Sequence, residues 1–151
     1  MKLNLPALHF ALMALAAPSA AFATLGGDVS TLQADREQMK ASAPAIRKTT
    51  GYAVHEMTTT GGTTVREYAN SAGTVFAVAW NGPHIPNLRQ LLGPYFDTYT
   101  TGASAKHVGH THLSIRQDSL VVRASGHMRA FSGTAYVPKL MPPGISEQEI
   151  K

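Results

Sequence analysis

After Thr74 the chain runs Val75-Phe76-Ala77-Val78-Ala79-Trp80 without one polar side chain. A strand with one wet face alternates apolar and polar residues, and this run does not. It is therefore predicted as a strand buried on both faces, at the centre of a sheet. Regular alternation inside it would put the smaller Val75, Ala77 and Ala79 on one side and Phe76, Val78 and Trp80 on the other. The small side would admit a closely packed helix.

The neighbouring segments supply the rest of such a sheet. Tyr52 to Thr59 and Thr63 to Ala69 flank Gly61-Gly62 and read as a hairpin. A two-residue Gly-Gly loop would set Glu56 against Glu67. A three-residue loop ending on a left-handed Gly62 sets Glu56 opposite Arg66, His55 opposite Glu67 and Val54 opposite Tyr68. Opposite charges across a ladder stabilise it and like charges do not, so the second register is expected. Asn70 to Gly73 forms the turn into the apolar run. Later, His112 to Arg116 and Leu120 to Ala124 read as a hairpin around Gln117-Asp118-Ser119. Met128 to Phe131 and Thr134 to Val137 read as two further strands, with Gly133 as a bend or bulge.

Two segments carry helical spacing. Ser30 and Gln33 have capping-box spacing ahead of a short polar helix from Thr31 to about Ser42, stopped by Pro44. Leu88, Leu91, Leu92, Tyr95, Phe96 and Tyr99 form an amphipathic stripe, with Asn87 and Gln90 in capping positions. Gly93-Pro94 interrupts that stripe and predicts a kink or two short helices. Thr100 to Gly109 reads as a polar loop. Ser146 with Glu149 can start one last helical turn. The order α-βββ-α-ββββ predicts an α+β fold: an antiparallel sheet of hairpins or a meander, with a few short helices packed on one side.

The N-terminus predicts export. Lys2 precedes a mostly apolar stretch to Ala17, Pro18-Ser19 break it, and Ala21-Phe22-Ala23 offers small residues at a cleavage site. The run is too short for a transmembrane helix. No twin arginine precedes it, so the general secretion route is expected. Residues 1–23 are thus expected as a signal peptide, 24–137 as one domain, and 138–151 as a proline-rich tail. The mature protein would start at Thr24, in the periplasm or outside, with no integral membrane segment.

Composition narrows the function classes. The 151 residues include no cysteine, which excludes disulfides, thiolate metal sites and a thiolate nucleophile. Of 13 basic residues, loss of Lys2 leaves 12 against 9 acidic ones, a net charge of +3. The basic residues are scattered, with Arg47-Lys48 as the only adjacent pair. That pattern does not build a phosphate-tracking patch, so nucleic acid is not an expected partner.

Several runs resemble a known family. They are Leu25-Gly26-Gly27-Asp28, Val65-Arg66-Glu67-Tyr68, Val75 to Pro83, Pro86 to Gly93, and Gly126 to Pro138. Together they are similar to the domain-of-unknown-function family 2844, a group of small exported proteobacterial proteins. The resemblance spans nearly all of the mature chain. It implies one exported domain and carries no assigned activity or catalytic residue.

Candidate chemistry is sparse. His55-Glu56 begins like a zinc-protease motif, but Thr59 stands where the second histidine is required. His107, His110 and His112 form H-x-x-H-x-H, a pattern that can hold zinc or copper. A polar loop rich in histidine explains the same residues, and is preferred. Glu56 and Glu67 could serve as a glycosidase pair, but the register above gives each a cationic or histidine partner. Nucleophile-elbow, phosphate-loop and dinucleotide motifs are missing from the sequence. His55, Arg66, Glu67 and Tyr68 form the densest chemical group, and His127 and Arg129 a second; both are candidate interaction surfaces. The expectation is a non-enzymatic exported domain that binds an envelope protein or glycan, without a cofactor. The alternatives are a zinc- or copper-binding envelope protein and a hydrolase with an unrecognised site.

Overall fold

The computed structural model of the protein describes residues 25–105 and 112–151. The chain is mostly β with some helix. Its strands are β1 (Ala45–Thr49), β2 (Tyr52–Thr58), β3 (Thr64–Asn70), β4 (Val75–Gly82), β5 (His112–Arg116), β6 (Val121–His127) and β7 (Ala130–Tyr136). They form one antiparallel sheet in the order β1-β2-β3-β4-β7-β6-β5. The apolar run is β4, fourth of seven, and Val75 to Trp80 are all buried.

Two cores lie against the sheet, one on each face. On the first, here the helix face, Val75, Val78 and Trp80 pack with Leu25, Leu91 and Leu92. On the second, the tail face, Phe76, Ala77 and Ala79 pack with Val54, Tyr68, Val121, Tyr136 and Ile150. The small and large sides expected of β4 are therefore wrong in part. The ladder with β3 steps from Tyr68–Ala77 to Ala69–Val75 and leaves Phe76 as an extra residue. This bulge turns Phe76 and Ala77 to the same side, so alternation restarts out of phase.

The first hairpin follows the charge argument. Glu56 pairs with Arg66, His55 with Glu67 and Val54 with Tyr68. Thr59 N donates to Thr63 O, leaving a three-residue loop, and Gly62 has φ +81°. One strand has no counterpart in the sequence reading. β1 pairs with β2 through a turn at Thr50-Gly51, and all five of its residues are exposed. Without a buried side it has no period-2 signal.

The helices are α1 (Leu32–Gln38), α2 (Leu88–Leu92) and α3 (Phe96–Ala105). α1 ends earlier than expected. Lys40 takes φ +49°, Ala41 N donates to Arg36 O, and Lys40 N donates to Glu37 O, a left-handed C-terminal cap. Its entry also differs from the capping box expected at Ser30: the Asp28 carboxylate accepts from Ser30 N at 2.8 Å and starts a 3₁₀ turn over Val29–Thr31. At Gly93-Pro94 the amphipathic stripe divides as expected, with Asn87 capping α2 and a 3₁₀ turn between α2 and α3. α3 then continues to Ala105, through residues expected as loop. Gly102 allows this, because a Cβ there would stand 2.9 Å from Ile115 Cγ2 of β5.

The last two expected strands are one. β7 runs unbroken through Gly133, which pairs with Trp80. A Cβ on Gly133 would come within 2.1 Å of Trp80 Cζ2, so this glycine makes room for the indole instead of bending the strand. The β6–β7 turn is Met128-Arg129, with Arg129 at φ +62° and Met128 almost fully exposed.

Residues 138–151 lie on the tail face. Leu140, Met141 and Ile145 pack against its core and Ile150 is buried in it. The last turn expected at Ser146 and Glu149 is a 3₁₀ turn over Glu147–Glu149, and the two residues form a capping box around it. No helix among the described residues is long and apolar enough to cross a membrane.

Candidate functional site

Residues paired across a ladder share a face, and so do residues two apart along a strand. On the tail face these rules generate three lines of side chains, each crossing the sheet. The first holds Val54, Tyr68, Ala77, Tyr136 and Val121, and the tail covers it. Two residues along each strand, the second line reads Glu56, Arg66, Ala79, Thr134, Arg123 and Ser114. Two further along, the third reads Thr58, Thr64, Asn81, Ser132, Ser125 and His112.

The stretch from Thr64 and Arg66 to His112 and Ser114 floors an open cleft of about 790 Å³, rimmed by Ile150 and Lys151. Neighbouring side chains in a line stand about 4.8 Å apart, and the two lines are about 7 Å apart. The floor thus carries a grid of hydroxyl, amide and guanidinium groups, set in a surface that is more apolar than polar. Ser125 and Ser132 share a hydrogen bond of 2.9 Å between their Oγ atoms.

Arg66, Arg123 and Lys151 line the cleft, and no Asp or Glu is among its lining residues. The carboxylates stand beside it, each on an arginine. Arg66 Nε donates to Glu56 Oε2 at 2.6 Å, and its Nη1 to the main-chain oxygen of Lys151 at 3.3 Å. Arg123 Nη2 donates to Glu147 Oε1 at 2.9 Å, while Arg116 Nη2 at 3.3 Å and the Tyr136 hydroxyl donate to Glu147 Oε2. The Tyr136 hydrogen bond, then Arg123, pull the Glu147 carboxyl down to about 2. Burial, then that same bond to Glu147, raise the Tyr136 phenol above its usual value. The tail is fixed further by Tyr68, whose hydroxyl donates to Lys151 O at 2.7 Å and accepts from Lys151 N at 3.0 Å.

The sheet separates the residues grouped as candidates by sequence. Arg66 lines the cleft. Tyr68 is buried beneath the tail, where it positions Lys151 at the rim. His55 and Glu67 point to the opposite, helix face and are buried there. Burial lowers the His55 pKa and favours its neutral form. His127 and Arg129 lie at the β6–β7 tip, outside the cleft lining. Of the three clustered histidines, His112 opens β5 and lines the cleft, while His107 and His110 fall outside the described residues.

Arg123, Ser125, Ser132, Thr134 and Asn81 were not singled out by sequence reasoning. Their signal was present in the period-2 pattern: Val121-x-Arg123-x-Ser125 and Tyr136-x-Thr134-x-Ser132 each change from apolar to polar along one face.

A family profile described as "Protein of unknown function (DUF2844)" matches residues 21–150. This agrees with the resemblance carried by the sequence motifs. No curated protein and no solved structure matches the chain.

Proposed function

This chain belongs to the DUF2844 family, and we propose that it is an exported, non-enzymatic binding domain of the cell envelope whose cleft on the tail face takes a glycan. One observation carries the reading: a grid of hydroxyl, amide and guanidinium groups on a sheet floor that no other described residue covers. A polyol offers alternating donors and acceptors at short spacing. Ser, Thr and Asn can give and accept hydrogen bonds, and Arg donates in a fork. Strands hold such groups at fixed spacing, which reduces the ordering cost of binding.

Export rests on the N-terminal sequence: Lys2, the apolar stretch and Ala21-Phe22-Ala23. N-terminal sequencing of protein from a periplasmic fraction is expected to begin at Thr24. Binding is tested by titrating isotope-labelled protein with soluble fragments of envelope polysaccharide and peptidoglycan. Amide shifts are expected at Asn81, Ser125, Ser132 and Thr134. An intact Met1 in the cytosol sinks the export half of the proposal. Shifts confined to the helix face, or none with any fragment, sink the glycan half.

A further inference from the structure

We infer that the glycan taken by this cleft carries a carboxylate, and that this group takes over the Arg123 guanidinium now held by Glu147. The inference rests on the reading of the open half of the tail face as a glycan site, and narrows it to acidic sugars.

The charge around the cleft is arranged for an anion. Its lining has three cationic side chains and no acidic side chain. Glu147 shows what this end of the sheet does with a carboxylate: one oxygen is taken by Arg123, the other by Arg116 and Tyr136. Only Arg123 among these three also lines the cleft, and its side chain is half exposed. It commits only Nη2 to Glu147. Rotation of the guanidinium toward the floor exchanges one carboxylate partner for another, while Arg116 and Tyr136 keep Glu147 in place. The exchange conserves charge-assisted hydrogen bonds, so it needs no buried charge left alone.

The carrier of the carboxylate is a sugar and not an acidic peptide. An extended peptide binds a sheet by adding a strand at an exposed edge, where main-chain groups are unpaired. Most of the cleft floor lies over β3, β4, β7 and β6, whose main-chain groups are paired with strands on both sides, and only β5, at its far end, is an edge strand. What remains available there is the side-chain grid, which matches ring hydroxyls. Arg66 and Arg123 stand three strands apart, about 14 Å between backbones, with the small Ala79 between them, and long arginine side chains converging from both ends leave room for one sugar ring.

Calorimetric titration of the purified chain with tetragalacturonate, its methyl ester and tetraglutamate tests the inference. The ester keeps the hydroxyls and removes the charge, and the peptide keeps the charge and removes the sugar. Tetragalacturonate is expected to bind at least about tenfold tighter than either, as one charge-assisted pair implies. Arg123→Gln is expected to remove that advantage. Glu147→Gln is expected to tighten tetragalacturonate about threefold or more, by releasing Arg123. Equal binding of ester and acid overturns the inference, as does equal binding of tetraglutamate or an unchanged affinity in Glu147→Gln. Failure of both sugars also overturns it. The broader glycan reading stands or falls separately, on the envelope fragments above.

Discussion

The half of the tail face beneath Ile150 and the half beyond it are built by the same strands, in the same ladder register, with the same alternation. Along β6 the face reads Val121, Arg123, Ser125; along β7, backwards, Tyr136, Thr134, Ser132; along β3, backwards, Tyr68, Arg66, Thr64. One step of two residues takes each strand from apolar to charged or hydroxyl, and a second step completes the change. The covered half binds its own chain: Leu140, Met141, Ile145 and Ile150 close over the aromatic residues. The open half keeps the same geometry with hydroxyl, amide and guanidinium side chains. Arginines mark the border, and each there holds a carboxylate or main-chain oxygen that fixes the tail. The contrast teaches that the site is the continuation of the core by other side chains, on a floor already made rigid by that core.

Substitution separates the halves most sharply at Phe76. It is fully buried, with Tyr52 and Tyr68 rings at 6.0 and 6.3 Å between centroids. Phe76→Ala removes a ring from a packed layer and is expected to destabilise the fold by about 3–5 kcal/mol, measured by urea denaturation. A loss under about 1 kcal/mol would mean that the tail side is loosely packed and that the two halves differ less than their side chains do.

The same contrast explains what was legible in the sequence. The register of β2 and β3 was readable because Glu56, Arg66, His55 and Glu67 leave one pairing free of like charges. The position of β4 was readable because its neighbours on both faces are apolar and no polar residue interrupts it. The break at Gly93-Pro94 is local chemistry. Long-range effects were not readable. The bulge at Phe76 belongs to the pairing of two strands, and Gly133 is explained by Trp80, 53 positions earlier in sequence. Alternation alone shows that Ser132, Thr134 and Asn81 share a face. It does not show where the tail stops covering that face, so among the polar residues of the cleft Arg66 and His112 alone were singled out, each for another reason.

Acid tests the border between the halves. Glu147 has its carboxyl lowered from the usual 4.5 to about 2, first by Tyr136 and then by Arg123. A carboxylate lowered on folding stabilises the fold fully above its unfolded value, and that contribution is lost as pH falls through the folded one. The contribution of Glu147 is therefore complete above about 4.5 and fades between 4.5 and 2. Urea midpoints measured from pH 7 to pH 2.5 are expected to fall through that window in the parent protein and to fall less in Glu147→Gln. Parallel curves for the two proteins would show that the tail is held by its apolar residues alone, and would remove the arginine border from the comparison.

The smallest effect is expected on the open floor. Ser132 donates to or accepts from Ser125 across β6 and β7 at 2.9 Å, on a half-buried surface that water reaches. Ser132→Ala removes a neutral hydrogen bond and leaves the Ser125 hydroxyl able to turn to solvent, so no buried polar group is stranded. The expected loss is no more than about 1 kcal/mol by urea denaturation. The methyl group left behind sits on β7 without steric change, and the strand register, set by the cores on both faces, stays as it is. Stability and binding should therefore separate here: shifts induced by glycan fragments are expected to weaken while the unfolding midpoint barely moves. A loss of several kcal/mol would instead make Ser132 part of the structural core, and the change in side chains from covered to open half would then mark no change of role.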